Sequence, residues 1–435
     1  MPQRIAMISD HASPLAAVGG IDSGGQNIYV AETARYLAAR GHLVDVFTRK
    51  DQPDLPDVVE WLPGVRVIHV PAGPAAFVRK EDLLPLMAEF AAFVQRFAAK
   101  ERYDLVHAHF FMSGVVALQL KAALGLPFVV TFHALGLVRR LHQGVADEFP
   151  SKRIGIERDV MNGADAIVAE CPDDRRNLVT LYNVDPSKIA VIPCGFAPEE
   201  FWPIAPRFAR RALGLPSDVP VLLCLGRLVP RKGVDNVIRA LGVLVRRLGV
   251  PAELLVVGGN SDIADPASTP EIGRLRAIAA EEGVAERVTF TGRRSRELLK
   301  LYYSAADAFV TTPWYESFGM TPVEAMACGT PVVGARVGGV KYSVLDQRTG
   351  FLVPPNDPVV LADRLNELCC SPRLAERFSR LAVRRAYALF RWERVAQLLS
   401  ILYVDVQRSA VIPERAPAAF APVHDVVTMH DVAAA

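Results

Sequence analysis

Two rhythms of hydrophobic positions alternate along the chain. Short apolar runs, such as RIAMIS at residues 4–9 and DLVHAHF at 104–110, predict buried strands. Between them lie longer stretches with apolar residues at helical spacing. Ile28, Ala31, Ala34, Leu37 and Ala38 mark a helix over 26–40 that stops at Gly41. Leu84, Met87, Phe90, Ala91, Val94 and Phe97 mark another over 81–100. The same reading gives strands at 65–70, 127–133, 165–169 and 188–196, with helices at 114–124, 151–163 and 172–181. Pro198, Pro203 and Pro206 then break the pattern and read as a linker. It restarts with strands at 219–225, 253–259, 287–292 and 307–312, and helices at 234–248, 271–282 and 296–305. Three more helices follow at 358–370, 372–389 and 392–404. Strand–helix alternation of this kind predicts parallel sheets covered by helices.

The expectation is therefore an α/β chain of two Rossmann-like domains, 1–197 and 207–389, then a helical segment 390–408 and a loosely ordered tail 409–435. A length of 435 residues, 51% hydrophobic and 22% charged, suits two globular domains. A net charge of +2 gives no reason to invoke nucleic acid. Six cysteines fall in no metal-binding or redox spacing, which favours a reducing, cytoplasmic setting. No apolar run reaches the roughly 18 residues of a membrane span, although peripheral membrane contact stays open. Oligomeric state is not legible.

Candidate chemistry gathers where strands end, the edge at which open α/β sheets bind ligands. Glu316 and Glu324, eight residues apart, flank a turn after the strand at 307–312. Thr321 reads as an N-cap, Pro322 as an early helical position and Gly329 as the stop. This puts Glu324 in the helix's first turn and leaves the backbone N–H groups of Phe318, Gly319 and Met320 free to face an anion. The bland alternative is a Thr321–Glu324 capping box beside a solvated Glu316. Arg227 and Lys232, five apart in GRLVPRKG, offer two cations for a diphosphate, or form a basic surface loop. A glycine-rich loop with Gly19, Gly20, Asp22, Ser23, Gly24 and Gly25 precedes Gln26 at the first helix, and permits close backbone approach. It is not G-x-G-x-x-G, so nicotinamide binding is disfavoured. His133 ends a strand on the same edge, whereas His107 and His109 alternate along a strand and have no third metal ligand.

The segments E-S-F-G-M-x-x-x-E and A-M-A-C-G-T-P-V-V, from Glu316 to Val333, resemble the signature of retaining, nucleotide-sugar-dependent glycosyltransferases of family 4, which have the two-domain GT-B fold. The resemblance spans about residues 4 to 405. It implies that Glu316 meets donor sugar hydroxyls, Glu324 the ribose, and Arg227 with Lys232 the diphosphate. TFHALG is similar to the family segment whose histidine lies at the donor sugar, which implies that role for His133. The turn with Arg293 is implied to lie near the base. The loop ending GGQ resembles that of sucrose-phosphate synthases and of mycothiol-pathway inositol-phosphate glycosyltransferases. It implies that Gly24 and Gln26 face the acceptor and Gly25 the donor phosphates. Lys80 and Arg153 match, in order, the acceptor-phosphate residues of those enzymes, while Phe110 stands where the inositol-phosphate enzymes carry tyrosine. By resemblance the enzyme moves a hexosyl group from a nucleotide sugar, a UDP-sugar such as UDP-glucose favoured, with no metal or other cofactor; which hexose stays open. Three readings stay open: transfer to a sugar phosphate or similar small acceptor, synthesis of a surface polysaccharide or glycolipid, and a non-catalytic nucleotide-sugar-binding module. The intact set Glu316, Glu324, Arg227, Lys232 and His133 argues against the last.

Overall fold

A computed structural model describes residues 2–16 and 24–411. The predicted Gly19, Gly20, Asp22 and Ser23 of the glycine loop, and residues 412–435 of the tail, lie outside the described residues.

The first sheet comprises β1 (Arg4–Ile8), β2 (Leu43–Arg49), β3 (Val58–Leu62), β4 (Val65–Val70), β5 (Leu105–His109), β6 (Phe128–Thr131), β7 (Ala166–Ala169) and β8 (Ile189–Val191). Its strand order is β3-β4-β2-β1-β5-β6-β7-β8. All neighbours are parallel except β3, which pairs antiparallel with β4 at the edge. The second sheet comprises β9 (Val221–Leu225), β10 (Glu253–Val257), β11 (Val288–Gly292), β12 (Ala308–Thr311), β13 (Val332–Ala335) and β14 (Gly350–Val353). It is parallel throughout, in the order β11-β10-β9-β12-β13-β14. Central strands such as β5 are buried on both faces, which is why they read as unbroken apolar runs. β3 is half exposed and carries Glu60, so it gave no such run.

The helix Trp392–Val411 leaves the second half and packs against the helix Gly25–Ala39 of the first. Trp392 is fully buried beside Tyr29, and Tyr403 Oη lies 2.6 Å from His107 Nδ1. This helix continues past the expected end at residue 404 and takes in the start of the predicted tail. The two crossings between halves run side by side, with Phe196 N donating to Phe390 O and Trp392 N to Phe196 O. The helix expected over 81–100 is shorter, Met87–Glu101, and follows two 3-10 turns, Lys80–Asp82 and Leu84–Leu86. Pro85 lacks the N–H and the room that a continuous helix needs there. A short helix, Gly136–Gln143, was not anticipated. Among the described residues no helix is long and apolar enough to cross a membrane.

Candidate active site

The carboxyl ends of both sheets open onto one cleft of about 590 Å³. From the second half, the loop after β9 brings Arg227, Arg231 and Lys232, the turn after β11 brings Arg293 and Arg294, and the loop after β12 brings Tyr315 to Met320. From the first half come Gly24, Gly25 and Gln26 at a helix start, His133 after β6, and Glu170 after β7. Lys80 and Phe110 line the same space.

Glu316 is paired with Lys232. Burial raises its carboxyl, but Lys232, then Arg231 and Arg227, outweigh that, so it lies below the usual range and stays ionised. The loop holding it is pinned from two sides. Trp314 N donates to Arg231 O at 2.9 Å, and the Arg231 guanidinium stacks over Tyr315 at 5.4 Å. Gly338 and Gly339 press against its backbone from behind. A Cβ on Gly338 would sit 1.8 Å from the Glu316 carbonyl oxygen, and one on Gly339 2.3 Å from Phe318 Cα. Side chains at these two positions would push the loop into the cleft.

The expected cap of the following helix is corrected. The helix is Met320–Ala327 with Gly319 as N-cap, so Thr321 lies inside it and Glu324 falls in the second turn. Glu324 forms no capping box. Its side chain turns inward, is only 3% exposed, and accepts from Tyr303 Oη at 2.8 Å and from Arg296 Nη1 at 3.1 Å. Arg296 also donates to Glu200 Oε2 at 2.5 Å and stacks over Phe201. The carboxylate thus arrives pre-oriented.

Gly24 and Gly25 meet the opposite half directly. A Cβ on Gly24 would lie 3.5 Å from Arg227 Nε, and one on Gly25 3.1 Å from Met320 Cε. Gln26 reaches Ser9 Oγ and His109 O, each at 3.4 Å. Further contacts bridge the halves: His142 stacks on Tyr315, Cys171 Sγ donates to Ser317 O, and Lys341 pairs with Asp173. Arg293 is tied to Asp262 Oδ1 at 3.1 Å.

His133 lies two residues beyond β6 with φ of +57°, and Phe110 follows β5 with φ of +81°. Such backbone costs a non-glycine residue about 1–3 kcal/mol and collects at functional sites. The His133 ring is held on both nitrogens, by Glu170 Oε1 at 2.9 Å and His109 Nδ1 at 3.1 Å. His107 and His109 are fully buried, and burial pushes His107 down to about 3.

Arg153 does not line the cleft, contrary to its expected place beside Lys80. It is 2% exposed, bonds Glu157 Oε1 at 2.7 Å and Ala134 O at 2.5 Å, and lies 4.5–4.9 Å from the rings of Phe110, Phe111 and Phe149. Phe110 and Phe111, directly after β5, and Phe149, on the segment before the helix Arg153–Gly163, enclose it. Arg231, Arg296, Tyr303 and Glu170 were not singled out from sequence. Glu170 carried the same signal as His133, a polar residue directly after an apolar run. Tyr303 and Arg296 lie on a helix, where a sequence gives no hint of which way they point.

Residues 207–385 match the family described as glycosyl transferases group 1, and residues 23–200 match Glycosyltransferase Family 4. D-inositol 3-phosphate glycosyltransferase 2 of Catenulispora acidiphila is 37% identical over 93% of this chain and 95% of its own length. The D-inositol 3-phosphate glycosyltransferase of Acidothermus cellulolyticus is 40% identical over 93% and 90%. The solved structure of sucrose-phosphate synthase from Thermosynechococcus elongatus superposes with a TM-score of 0.85 at 35% identity, covering 94% of this chain and all of that one. This chain is therefore a glycosyltransferase of family 4, built as the GT-B pair of facing Rossmann-like domains.

Proposed function

We propose that the chain transfers a hexosyl group from a UDP-sugar to a small polar, phosphorylated acceptor, with retention at the anomeric carbon. The observation that carries this reading is the meeting, in one cleft, of the Arg227–Lys232 loop, Glu316 and Glu324 with His133. The second domain holds the donor. Arg227, Lys232 and the backbone N–H groups around Gly319 neutralise the departing diphosphate, Glu316 receives sugar hydroxyls, and Glu324 receives the ribose. Arg293 stands at the base and Gly25 beside the phosphates. The first domain presents the acceptor, with Lys80, Gly24 and Gln26 at its end of the cleft. The leaving diphosphate takes the acceptor's proton, so the protein acts by alignment and electrostatics. The relatives named for inositol phosphate and sucrose phosphate support a phosphorylated acceptor.

One observation favours a second reading, an acceptor without phosphate. Arg153 pairs with Glu157 beneath three phenyl rings and does not line the cleft as Lys80 does. Nucleotide release from a panel of nucleotide sugars, with inositol 3-phosphate, fructose 6-phosphate and their unphosphorylated forms, tests both. Release stimulated by a phosphorylated sugar alone supports the first reading. Equal stimulation by the neutral form supports the second. Turnover with no nucleotide sugar at all overturns the donor assignment.

A further inference from the structure

We propose that Glu170 is a positioning residue for His133, fixing its imidazole as the Nδ1–H tautomer. Glu170 directly follows β7, lines the cleft and is 3% exposed. Its Oε1 lies 2.9 Å from His133 Nδ1 and also accepts from Cys194 Sγ at 3.3 Å. A carboxylate only accepts, so Nδ1 must carry the hydrogen. The other side of the ring agrees. His133 Nε2 sits 3.1 Å from His109 Nδ1. His109 is fully buried; burial, then its neighbours His107 and His133, hold its pKa well below the ordinary value, so it is neutral. With His133 protonated on Nδ1, its Nε2 accepts the Nδ1–H of His109. The chain then ends on His109 Nε2, a buried atom with no hydrogen-bond partner among the described residues. Reversed, the His133 Nδ1 lone pair would face the Glu170 carboxylate at 2.9 Å.

The ring is fixed in plane as well. Tyr29 meets His133 edge-on at 4.9 Å, and the hydrogen-bonded His109 ring lies nearly coplanar with it, at 19° between planes and 5.3 Å between centroids. Such a set of contacts can hold a residue at φ of +57°. Both imidazole nitrogens are thereby engaged by the protein, and no side-chain N–H is left for the sugar. His133 acts on the donor through the position of its ring and strained backbone, and Glu170 is what keeps it there. The functional part of this inference rests on the reading of His133 as a donor-side residue; the tautomer does not.

Nitrogen-15 NMR of the histidine-labelled, ligand-free chain, with His133 assigned by its absence in His133→Gln, separates the two. The Nδ1–H tautomer is expected. An Nε2–H tautomer overturns the proposal whether or not any donor turns over. In kinetics, Glu170→Ala, by misplacing the ring, is expected to lower kcat by about 10²-fold with the donor KM within about threefold, and Glu170→Gln, which keeps an acceptor oxygen, to stay within about tenfold of wild type. A Glu170→Ala enzyme within about threefold in kcat, or one whose whole loss lies in donor KM, also overturns it. If that variant fails to fold, the wild-type spectrum still decides.

Discussion

On the C-terminal wall of the cleft, six cations, Arg227, Arg231, Lys232, Arg293, Arg294 and Arg296, stand with two carboxylates, Glu316 and Glu324. On the N-terminal wall, among the described residues, three carboxylates, Glu170, Asp173 and Asp174, and two histidines, His11 and His133, stand with Lys80 and Arg139. Both walls are mainly loops and the helices that follow them at the carboxyl ends of parallel strands, so the fold supplies the same edge twice. Chemistry diverges only in the residues that occupy it. The C-terminal wall suits a diphosphate. Its carboxylates are spoken for by cations, Lys232 for Glu316 and Arg296 for Glu324, and can still accept from sugar hydroxyls. The N-terminal wall has no surplus positive charge and has strained backbone at His133 and Phe110, features suited to orienting a reacting sugar.

Removing a carboxylate from the cationic wall should produce the largest effect. Glu316→Ala is expected to drop transfer to background while circular dichroism reports an intact fold. Lys232 then loses its partner inside the site. Turnover at the wild-type rate would mean that the wall's carboxylates are structural and its cations alone carry the donor.

The seam between the walls should show itself in pH dependence. Glu32, on the helix Gly25–Ala39, is pushed from 4.5 up to about 7, first by burial and next by Glu200, against the opposing pull of Arg35 and Arg296. Raised in the folded state, it binds more protons folded than unfolded across that interval. Stability therefore falls as pH rises from about 4.5 to about 7. Glu32→Gln should flatten the decline by about 3 kcal/mol in urea unfolding followed at several pH values. An unchanged slope would assign the titration elsewhere, with Asp174, also pushed to about 7 by burial and Glu170, the first alternative.

The C-terminal wall was the more legible of the two, for a physical reason. Its key residues come in groups that are local in sequence. Glu316 and Glu324 share one turn, and Arg227 and Lys232 share one loop, so spacing alone grouped them. Most strands were legible because burial on both faces leaves continuous apolar runs, although β13 and β14, equally buried but only four residues each, were not predicted. The N-terminal wall is assembled from separate strand ends, with Gly24 after β1, His133 after β6 and Glu170 after β7. Order along the chain does not report which of them touch. Arg153 shows the limit most clearly. A basic residue at a helix start looks solvent-facing, and only the packing of Phe110, Phe111 and Phe149 reveals that it is buried. Thr321 misled in a similar way, because a good capping residue lost the position to Gly319 two residues earlier.

Arg296 tests whether the seam serves the donor. It joins Glu324 to Glu200, which lies on the segment connecting the halves. Arg296→Ala should raise the donor KM about tenfold with kcat changed far less, as expected when binding common to ground and transition state is lost. Arg296→Lys should recover only part, since a single ammonium cannot reproduce the two-sided fork. A fall in kcat alone would place Glu324 in the chemical step instead.

The smallest effect belongs to the contact that crosses the open side of the cleft. Lys341 pairs with Asp173 at 2.5 Å, but the side chains are 32% and 15% exposed. Exposed pairs of this kind contribute less than about 1 kcal/mol and weaken with salt. Lys341→Ala should therefore change the donor KM by less than about threefold, and adding salt to the wild type should reproduce most of that change. The neighbouring contacts, His142 on Tyr315 and Cys171 to Ser317, persist in the variant and depend little on ionic strength. A tenfold loss would instead make one screened pair the latch of the two walls. That outcome would require Asp173 to be drawn to Lys341 more strongly than to Arg176, its other partner at 3.0 Å on the same wall.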